Sequence, residues 1–143
     1  MRHVVVTGAR GFIGRNLLVA LGRRDDVAVT AFDVDDPLDV LRAALPGASV
    51  VFHLAGVNRP QDADEFRTGN VGFTEQLCRL LEEAEARPAV VFASSVQAEL
   101  DNPYGASKLA AEGVLETWSR AATTTTTPRW SGSWSSRETA WCG

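Results

Sequence analysis

The stretch HVVVTGARGFIG, residues 3–14, decides the fold of this chain. It opens with an apolar, β-branched run at 3–7, which is typical of a buried strand. Three glycines follow, at Gly8, Gly11 and Gly14. The apolar positions after them recur with the period of a helix. The stretch therefore predicts a strand, a tight glycine turn and a helix in immediate succession.

The chain up to about residue 120 continues this alternation of short apolar runs with amphipathic stretches. Because helices separate the strands, we expect the strands to be parallel and the helices to cover both faces of the sheet. The prediction is an α/β fold of the Rossmann type, a doubly wound parallel sheet that is incomplete, with about four strands. The further strands are expected at 27–32, 50–54 and 89–93, and the further helices at 37–45, 73–87 and 104–118.

Composition indicates one globular domain and excludes several classes of partner. The chain has 143 residues and a mass of 15.4 kDa, with 45% hydrophobic and 22% charged residues, enough for one core. A net charge of -4 and a pI near 5.1 argue against a nucleic-acid partner. No apolar run approaches the ~20 residues of a membrane span, so we expect no membrane partner. Cys78 and Cys142 are too few for a disulfide framework, which favours a cytoplasmic location.

The glycine turn has the spacing of a diphosphate-binding turn. Because glycine lacks Cβ, the turn can be tight, its backbone can approach a ligand, and the helix can pack closely on the strand. The N–H groups at the start of the helix, including those of Phe12 and Ile13, then point at the phosphates. Asp33 ends the second predicted strand, 19 residues after Gly14, where a carboxylate that binds the adenosine ribose is expected. Together these features predict a dinucleotide-binding site.

The cofactor is expected to be NAD or NADP, with NAD slightly favoured. Asp33 is suited to bind a ribose diol and repels a 2′-phosphate, at a cost of about 1 kcal/mol in water and about 4 kcal/mol in a partly screened site. Arg10 lies inside the glycine turn and can offset that repulsion by binding the phosphate. An ordinary solvated loop residue is the alternative interpretation of Arg10, and both stay open at this point.

A Tyr-x-x-x-Lys pair begins the last predicted helix. Tyr104 and Lys108 are four residues apart and so share one helix face. A positive charge beside a phenol favours loss of its proton, which suits the pair to exchange a proton with a carbonyl oxygen. Ser95, expected at the end of the fourth strand, is placed to hold the same oxygen, with Ser94 as the alternative. Because strand ends and glycine turn share one edge of a parallel sheet, these residues predict a catalytic site beside the cofactor.

With these motifs, the chain resembles the extended short-chain dehydrogenase/reductases that act on nucleotide sugars. The likeness is carried by TGARGFIG at 7–14, HLAG at 53–56, the Asn70-Val71 pair before a helix, the two serines, and the Tyr-x-x-x-Lys pair. It implies that Leu54, Ala55, Gly56 and Asn70 lie beside the cofactor. It also implies that Lys108 holds the nicotinamide ribose as well as acting on Tyr104.

A narrower likeness points to the capsular-polysaccharide enzymes of the CapF type. It rests on HLAGVNRP at 53–60, SSVQA at 94–98 and DNPYGASK at 101–108. The resemblance spans roughly 3–118 and implies reduction of a 4-keto UDP-sugar, with a nicotinamide as hydride donor and a nucleotide sugar as substrate. Val96 and Gln97 stand where sugar dehydratases of the wider family carry an Asp-Glu pair, so dehydration is not expected.

The sequence changes character at Ala121. Residues 123–127 are five threonines, and a Ser-, Trp- and Arg-rich end without apolar periodicity follows. We therefore expect an NAD(P)-binding Rossmann domain at 1–120 and an irregular, poorly ordered tail at 121–143. An out-of-frame reading of the gene after this point is one hypothesis for the change.

The leading hypothesis is an NAD(P)-dependent oxidoreductase of nucleotide sugars, here as a cofactor-binding portion with weak or no activity alone. One alternative is a non-catalytic NAD(P)-binding module or an inactive truncated remnant, and a second is a nucleotide-sugar 4-epimerase. An unpaired sheet edge would allow a homodimer. The two histidines, His3 and His53, have no cysteine cluster beside them, so no metal site is expected.

Overall fold

The computed structural model describes residues 1–57 and 62–123. Its strands are β1 Arg2–Thr7, β2 Val27–Phe32, β3 Val50–His53 and β4 Ala89–Phe92. Its α-helices are α1 Phe12–Leu21, α2 Leu38–Ala44, α3 Ala63–Phe66, α4 Phe73–Glu83 and α5 Pro103–Thr123. A π-helical turn at Arg67–Gly72 joins α3 to α4, and 3₁₀ turns occupy Leu45–Gly47 and Val96–Glu99.

The four strands form one parallel sheet in the order β2-β1-β3-β4. β1 pairs with β2 as far as Thr7 and Phe32, and with β3 as far as Thr7 and His53. These three residues are the last of their strands and lie at the carboxyl edge of the sheet, where the glycine turn starts. The chain winds outward from β1 to β2 and then crosses to β3 on the other side, and such a switch point is where open α/β sheets bind ligands. The predicted Rossmann-type fold is confirmed.

Helices cover both faces of the sheet, as predicted. Val4 and Val6 of β1 face α1, whose three leucines pack around them. Val5 points the other way, into a larger cluster with α2, the 3₁₀ turn after it, α4 and α5. Complete burial of a leucine side chain contributes ~1.5–3 kcal/mol to folding. The fully buried leucines of this cluster are Leu41, Leu45, Leu77 and Leu81.

Some element boundaries differ from the predictions. α5 continues to Thr123, so the domain boundary expected at residue 120 falls inside a helix. Trp118 near its end is buried in the larger cluster, which holds the last turns against the sheet. β3 and β4 each end one residue early, and α3 with the following π-helical turn was not predicted. The part of the expected tail at 124–143 lies outside the described residues.

Candidate functional site

Gly8 directly follows β1 and has a backbone conformation that favours glycine, with a φ of 69°. A Cβ at this position would lie 2.6 Å from the amide nitrogen of Ala55, so the turns after β1 and β3 pass directly against each other. A Cβ at Gly14 would overlap the carbonyl oxygen of Gly8. Gly11 is less crowded, because its Cβ would lie 3.2 Å from that oxygen.

The start of α1 is open to an anion. Gly11 is its N-cap residue and has no side chain with which to cap the helix, so the first N–H groups are left to water or a ligand. Phe12 and Ile13 supply two of these groups, while their side chains are exposed and do not line the cleft described next.

A cleft of about 480 Å³ opens at this edge of the sheet, within the usual size range of small-molecule sites. It brings together six of the residues that the sequence singled out for the cofactor: Gly8, Gly11, Asp33, Leu54, Ala55 and Gly56. Thr68 and Gly69 of the π-helical turn also line it. Neither residue was predicted from the sequence, because the turn that carries them has no periodic apolar pattern.

Asp33 is fixed against the glycine turn by backbone donors. Its Oδ2 accepts the N–H of Arg10 at 2.6 Å, and its Oδ1 accepts the N–H of Val34 at 2.8 Å. The Arg10 guanidinium reaches past Asp33 to Asp36, at 2.6 Å between Nη2 and Oδ1. Arg10 is thus a half-exposed loop residue whose guanidinium is paired with Asp36, and its role in binding a phosphate stays a prediction.

The side chains of Asn70 and Lys108 meet beside Gly56, one of the residues that line the cleft. A Cβ on Gly56 would lie 2.7 Å from Asn70 Oδ1 and 2.9 Å from Lys108 Nζ. The Asn70 amide is held on both sides, since Oδ1 accepts the N–H of Val57 and Nδ2 donates to the carbonyl of Val57 and to Ser107 Oγ. These bonds fix the direction in which Asn70 faces the lysine.

Lys108 is buried and lies beside Tyr104. Its Nζ donates to the carbonyl oxygen of Ala93 at 3.1 Å and lies 5.9 Å from the centre of the Tyr104 ring. Burial lowers the pKa of Lys108, and the carboxylate of Glu112 partly opposes that shift. The Tyr104 ring also packs against Phe66, and the two ring centres lie 5.5 Å apart. The structure thus places the two residues of the predicted Tyr-Lys pair next to each other, and Lys108 lies beside Gly56, which lines the cleft.

His53 links the ends of β1 and β3 to the turn that carries Asn70. Thr74 Oγ1 donates to the carbonyl of Asn70 at 2.6 Å, so it must accept from His53 Nε2 at 2.9 Å. His53 Nδ1 then accepts the hydroxyl proton of Thr7 at 2.8 Å. Both ring nitrogens are used in these bonds. Burial, then the charge of Lys108, lowers the pKa of His53 from 6.5 to about 4.

The structure separates the two candidate serines. β4 ends at Phe92, so Ser95 lies in the connection after the strand and caps the following 3₁₀ turn, rather than ending the strand as expected. Its Oγ accepts the N–H of Gln97 at 3.2 Å, which leaves its hydroxyl proton to donate elsewhere. Ser94 Oγ instead donates to the Glu112 carboxylate.

Comparison with known proteins assigns the family. The model of the NAD dependent epimerase/dehydratase family matches residues 4–131. The chain belongs to this family. The UDP-2-acetamido-2,6-beta-L-arabino-hexul-4-ose reductase of Pseudomonas aeruginosa is 42% identical to this chain over 113 residues, which are 79% of this chain and 30% of the reductase.

Solved structures agree with the fold. The capsular polysaccharide assembling protein CapF of Staphylococcus aureus superposes with a TM-score of 0.71 and 38% identity, over 83% of this chain and 32% of that one. A short-chain dehydrogenase/reductase superfamily protein of Agrobacterium tumefaciens with bound NAD superposes with a TM-score of 0.68 and 27% identity, over 81% of this chain and 44% of that one. The chain thus spans about a third of the reductase and of CapF.

Among residues 1–57 and 62–123, no helix has the length and hydrophobicity needed to cross a membrane.

Proposed function

We propose that this chain binds NAD and forms the proton-transfer half of a site that reduces the keto group of a UDP-sugar. One observation carries the proposal: the cleft lined by Gly8, Gly11 and Asp33 is also lined by Gly56, where an added Cβ would lie within 3 Å of Asn70 Oδ1 and Lys108 Nζ. A dinucleotide laid along this cleft would have its diphosphate at one end and its reactive ring at the other.

The residues at the first end fit the adenosine and diphosphate part of the cofactor. The open N–H groups at the start of α1 suit the negative diphosphate, and the helix dipole adds ~0.3–1 kcal/mol. The Asp33 carboxylate already accepts two backbone N–H groups and keeps lone pairs for the two ribose hydroxyls. Its charge disfavours a 2′-phosphate, which supports NAD over NADP.

The residues at the second end fit carbonyl reduction. When bound, the nicotinamide ring supplies the hydride. Tyr104 would donate its hydroxyl proton to the sugar's carbonyl oxygen, and the Lys108 ammonium beside it would stabilise the resulting phenolate. Ser95 would donate a hydrogen bond to the same oxygen, because its own oxygen is held by Gln97 while its proton is free to donate. Ser94 suits this role less, since its proton is directed to Glu112.

The similarity to the Pseudomonas reductase supports reduction of a 4-keto UDP-sugar as the reaction. Val96 and Gln97, which follow Ser95, supply no acid–base pair for dehydration. A 4-epimerase is the second candidate, since the matched family includes epimerases. The same Tyr104, Lys108 and Ser95 would serve it in both directions of proton transfer.

Titration calorimetry with NAD tests the proposal, with Gly11→Asp as the main variant. We choose Gly11 because a side chain there meets only the Gly8 oxygen, at 3.2 Å, whereas side chains at Gly8 or Gly14 collide with backbone. A carboxylate at this position faces the diphosphate, so we expect NAD affinity to fall by at least about tenfold. Gly11→Asn, of equal size and without charge, is the matched control and should lose less. Equal binding by both variants, or no binding of NAD and NADP to the wild type at millimolar concentration, would overturn the proposal.

A further inference from the structure

The Arg10 side chain is paired with carboxylates of the loop after β2. Its guanidinium contacts Asp36 at 2.6 Å and Asp35 at 3.8 Å. The two carboxylates differ in setting: the Asp35 side chain is 86% exposed, while that of Asp36 is 25% exposed. The short, partly shielded contact is therefore the one to Asp36.

Asp36 is itself fixed by the residue that the ribose is proposed to meet. Its Oδ2 accepts the N–H of Asp33 at 2.7 Å while its Oδ1 binds Arg10. Asp33 in turn accepts the N–H of Arg10. Asp33, Arg10 and Asp36 thus form a closed ring of hydrogen bonds between the glycine turn and the end of β2. The bond to Arg10 also lowers the pKa of Asp36, so the carboxylate stays charged.

The ring of hydrogen bonds determines which charged groups would lie beside a 2′-phosphate. The phosphate would replace a ribose hydroxyl next to Asp33, where Arg10 is the cation that the turn provides. To bind it, the guanidinium would have to leave Asp36, and Asp36 would then stand unpaired beside Asp33 and a second anion. NAD places no charge at this position and leaves the ring intact.

We propose that Asp36 is a specificity-determining residue, which excludes NADP by holding the Arg10 guanidinium. This inference rests on the proposed binding of NAD at the cleft. Removing the negative charge of Asp36 while keeping its hydrogen-bond acceptor would release Arg10 toward a 2′-phosphate and leave the site for NAD in place.

The test compares Kd values for NAD and NADP in the 143-residue chain carrying Asp36→Asn. The asparagine oxygen can still accept the Asp33 N–H, and a thermal melt checks folding. We expect NADP to gain at least about fivefold relative to NAD, because a phosphate gains a guanidinium and loses a repelling carboxylate. The inhibition constant of 2′,5′-ADP relative to that of ADP, both measured as competitors of the dinucleotide, should shift in the same direction. Such a shift places the effect at the adenosine end of the site. Asp36→Ser, which also keeps an acceptor, provides a second variant if the first folds poorly.

Two controls separate the release of Arg10 from a general loss of negative charge. Asp35→Asn removes the same charge from the exposed, distant partner and should change the NADP to NAD ratio much less. Adding Arg10→Ala to Asp36→Asn should abolish the gain. An unchanged ratio in Asp36→Asn, an equal gain in Asp35→Asn, or a gain that survives loss of Arg10 would overturn the role of Asp36 while NAD binding stands. Absence of binding of either dinucleotide to the wild type would overturn both this inference and the proposed function.

Discussion

At His53, two buried hydrogen bonds depend on one protonation state of the ring. Nδ1 must stay unprotonated to accept from Thr7, because Nε2 already donates to Thr74. In an unfolded chain the ring takes up a second proton near pH 6.5, whereas the pKa of His53 in the folded protein is about 4. The unfolded state therefore binds more protons between these two pH values. The contribution of His53 to the free energy of unfolding is complete above pH 6.5 and is lost as the pH is lowered toward 4. At about 1.4 kcal/mol per pKa unit, the loss reaches roughly 3 kcal/mol.

Denaturant unfolding at about pH 7.5 and about pH 4.5 measures this loss. His53→Gln keeps a donor and an acceptor but does not titrate, so we expect it to lose less stability than the wild type over the same interval. His3→Gln, at the other histidine of the chain, should retain the wild-type loss. The interpretation is wrong if His53→Gln and the wild type show the same change between the two conditions.

Among single residues, those whose position in the fold is set by near neighbours were predicted from the sequence. Gly8 lies at the end of an apolar strand, and Asp33 lies at the end of the next one, so their positions followed from local pattern. Thr74 and Asp36 were not predicted, because their partners lie far from them in the sequence. The structure brings Thr74 to His53, 21 residues away, and Asp36 to Arg10, 26 residues away. Pairings of this kind depend on the register of the sheet, which the sequence alone does not define.

Among the elements, α5 carries two glycines whose surroundings differ. A Cβ at Gly105 would overlap the carbonyl oxygen of Gln97, while a Cβ at Gly113 would meet nothing within 4 Å. Gly105→Ala forces backbone apart and should destabilise the protein by ~1–3 kcal/mol. Gly113→Ala should stabilise it by ~0.5–1 kcal/mol, because alanine loses less backbone entropy in a helix.

Urea unfolding of the two variants beside the wild type gives both free energies. The two substitutions are chemically identical and lie on one helix, so each is the control for the other. The opposite signs are the essential outcome. Stability of Gly105→Ala at the wild-type level would show that the start of α5 does not pack against the Val96–Glu99 turn.

Elements with a strong apolar period were predicted, and those without one were not. α4 has buried leucines at helical spacing and was recognised from Phe73 onward. α3 has only four residues, and the π-helical turn after it is stabilised by the Asn70 amide and Thr74 rather than by an apolar face. The predicted end of α5 at Trp118 was too early. The sequence after Trp118 has no apolar pattern that indicates a helix, and the burial of the Trp118 ring holds this part of α5 in place.

On the scale of the whole molecule, the described residues would form the nucleotide side of the proposed site but leave its other side open. Within residues 1–57 and 62–123, β4 is the outermost strand on the side of Tyr104 and Ser95, and its Val91 is 46% exposed. A nucleotide sugar bound against Tyr104 would therefore meet solvent on that side. Recognition of a sugar normally requires a concave surface, and exclusion of water strengthens the interactions that stabilise developing charge.

We expect the 143-residue chain, tested by itself, to bind NADH but to turn over a 4-keto UDP-sugar at least about 100-fold more slowly than the Pseudomonas reductase assayed in parallel. NADH fluorescence measures binding, and loss of absorbance with the keto-sugar present measures turnover. Tyr104→Phe serves as the control: it keeps the ring packed against Phe66 and should leave NADH binding unchanged while removing any residual turnover. Turnover by this chain at the rate of the reductase would contradict the prediction, because it would mean that the residues of the cleft and of the Tyr-Lys pair suffice to hold the sugar in place.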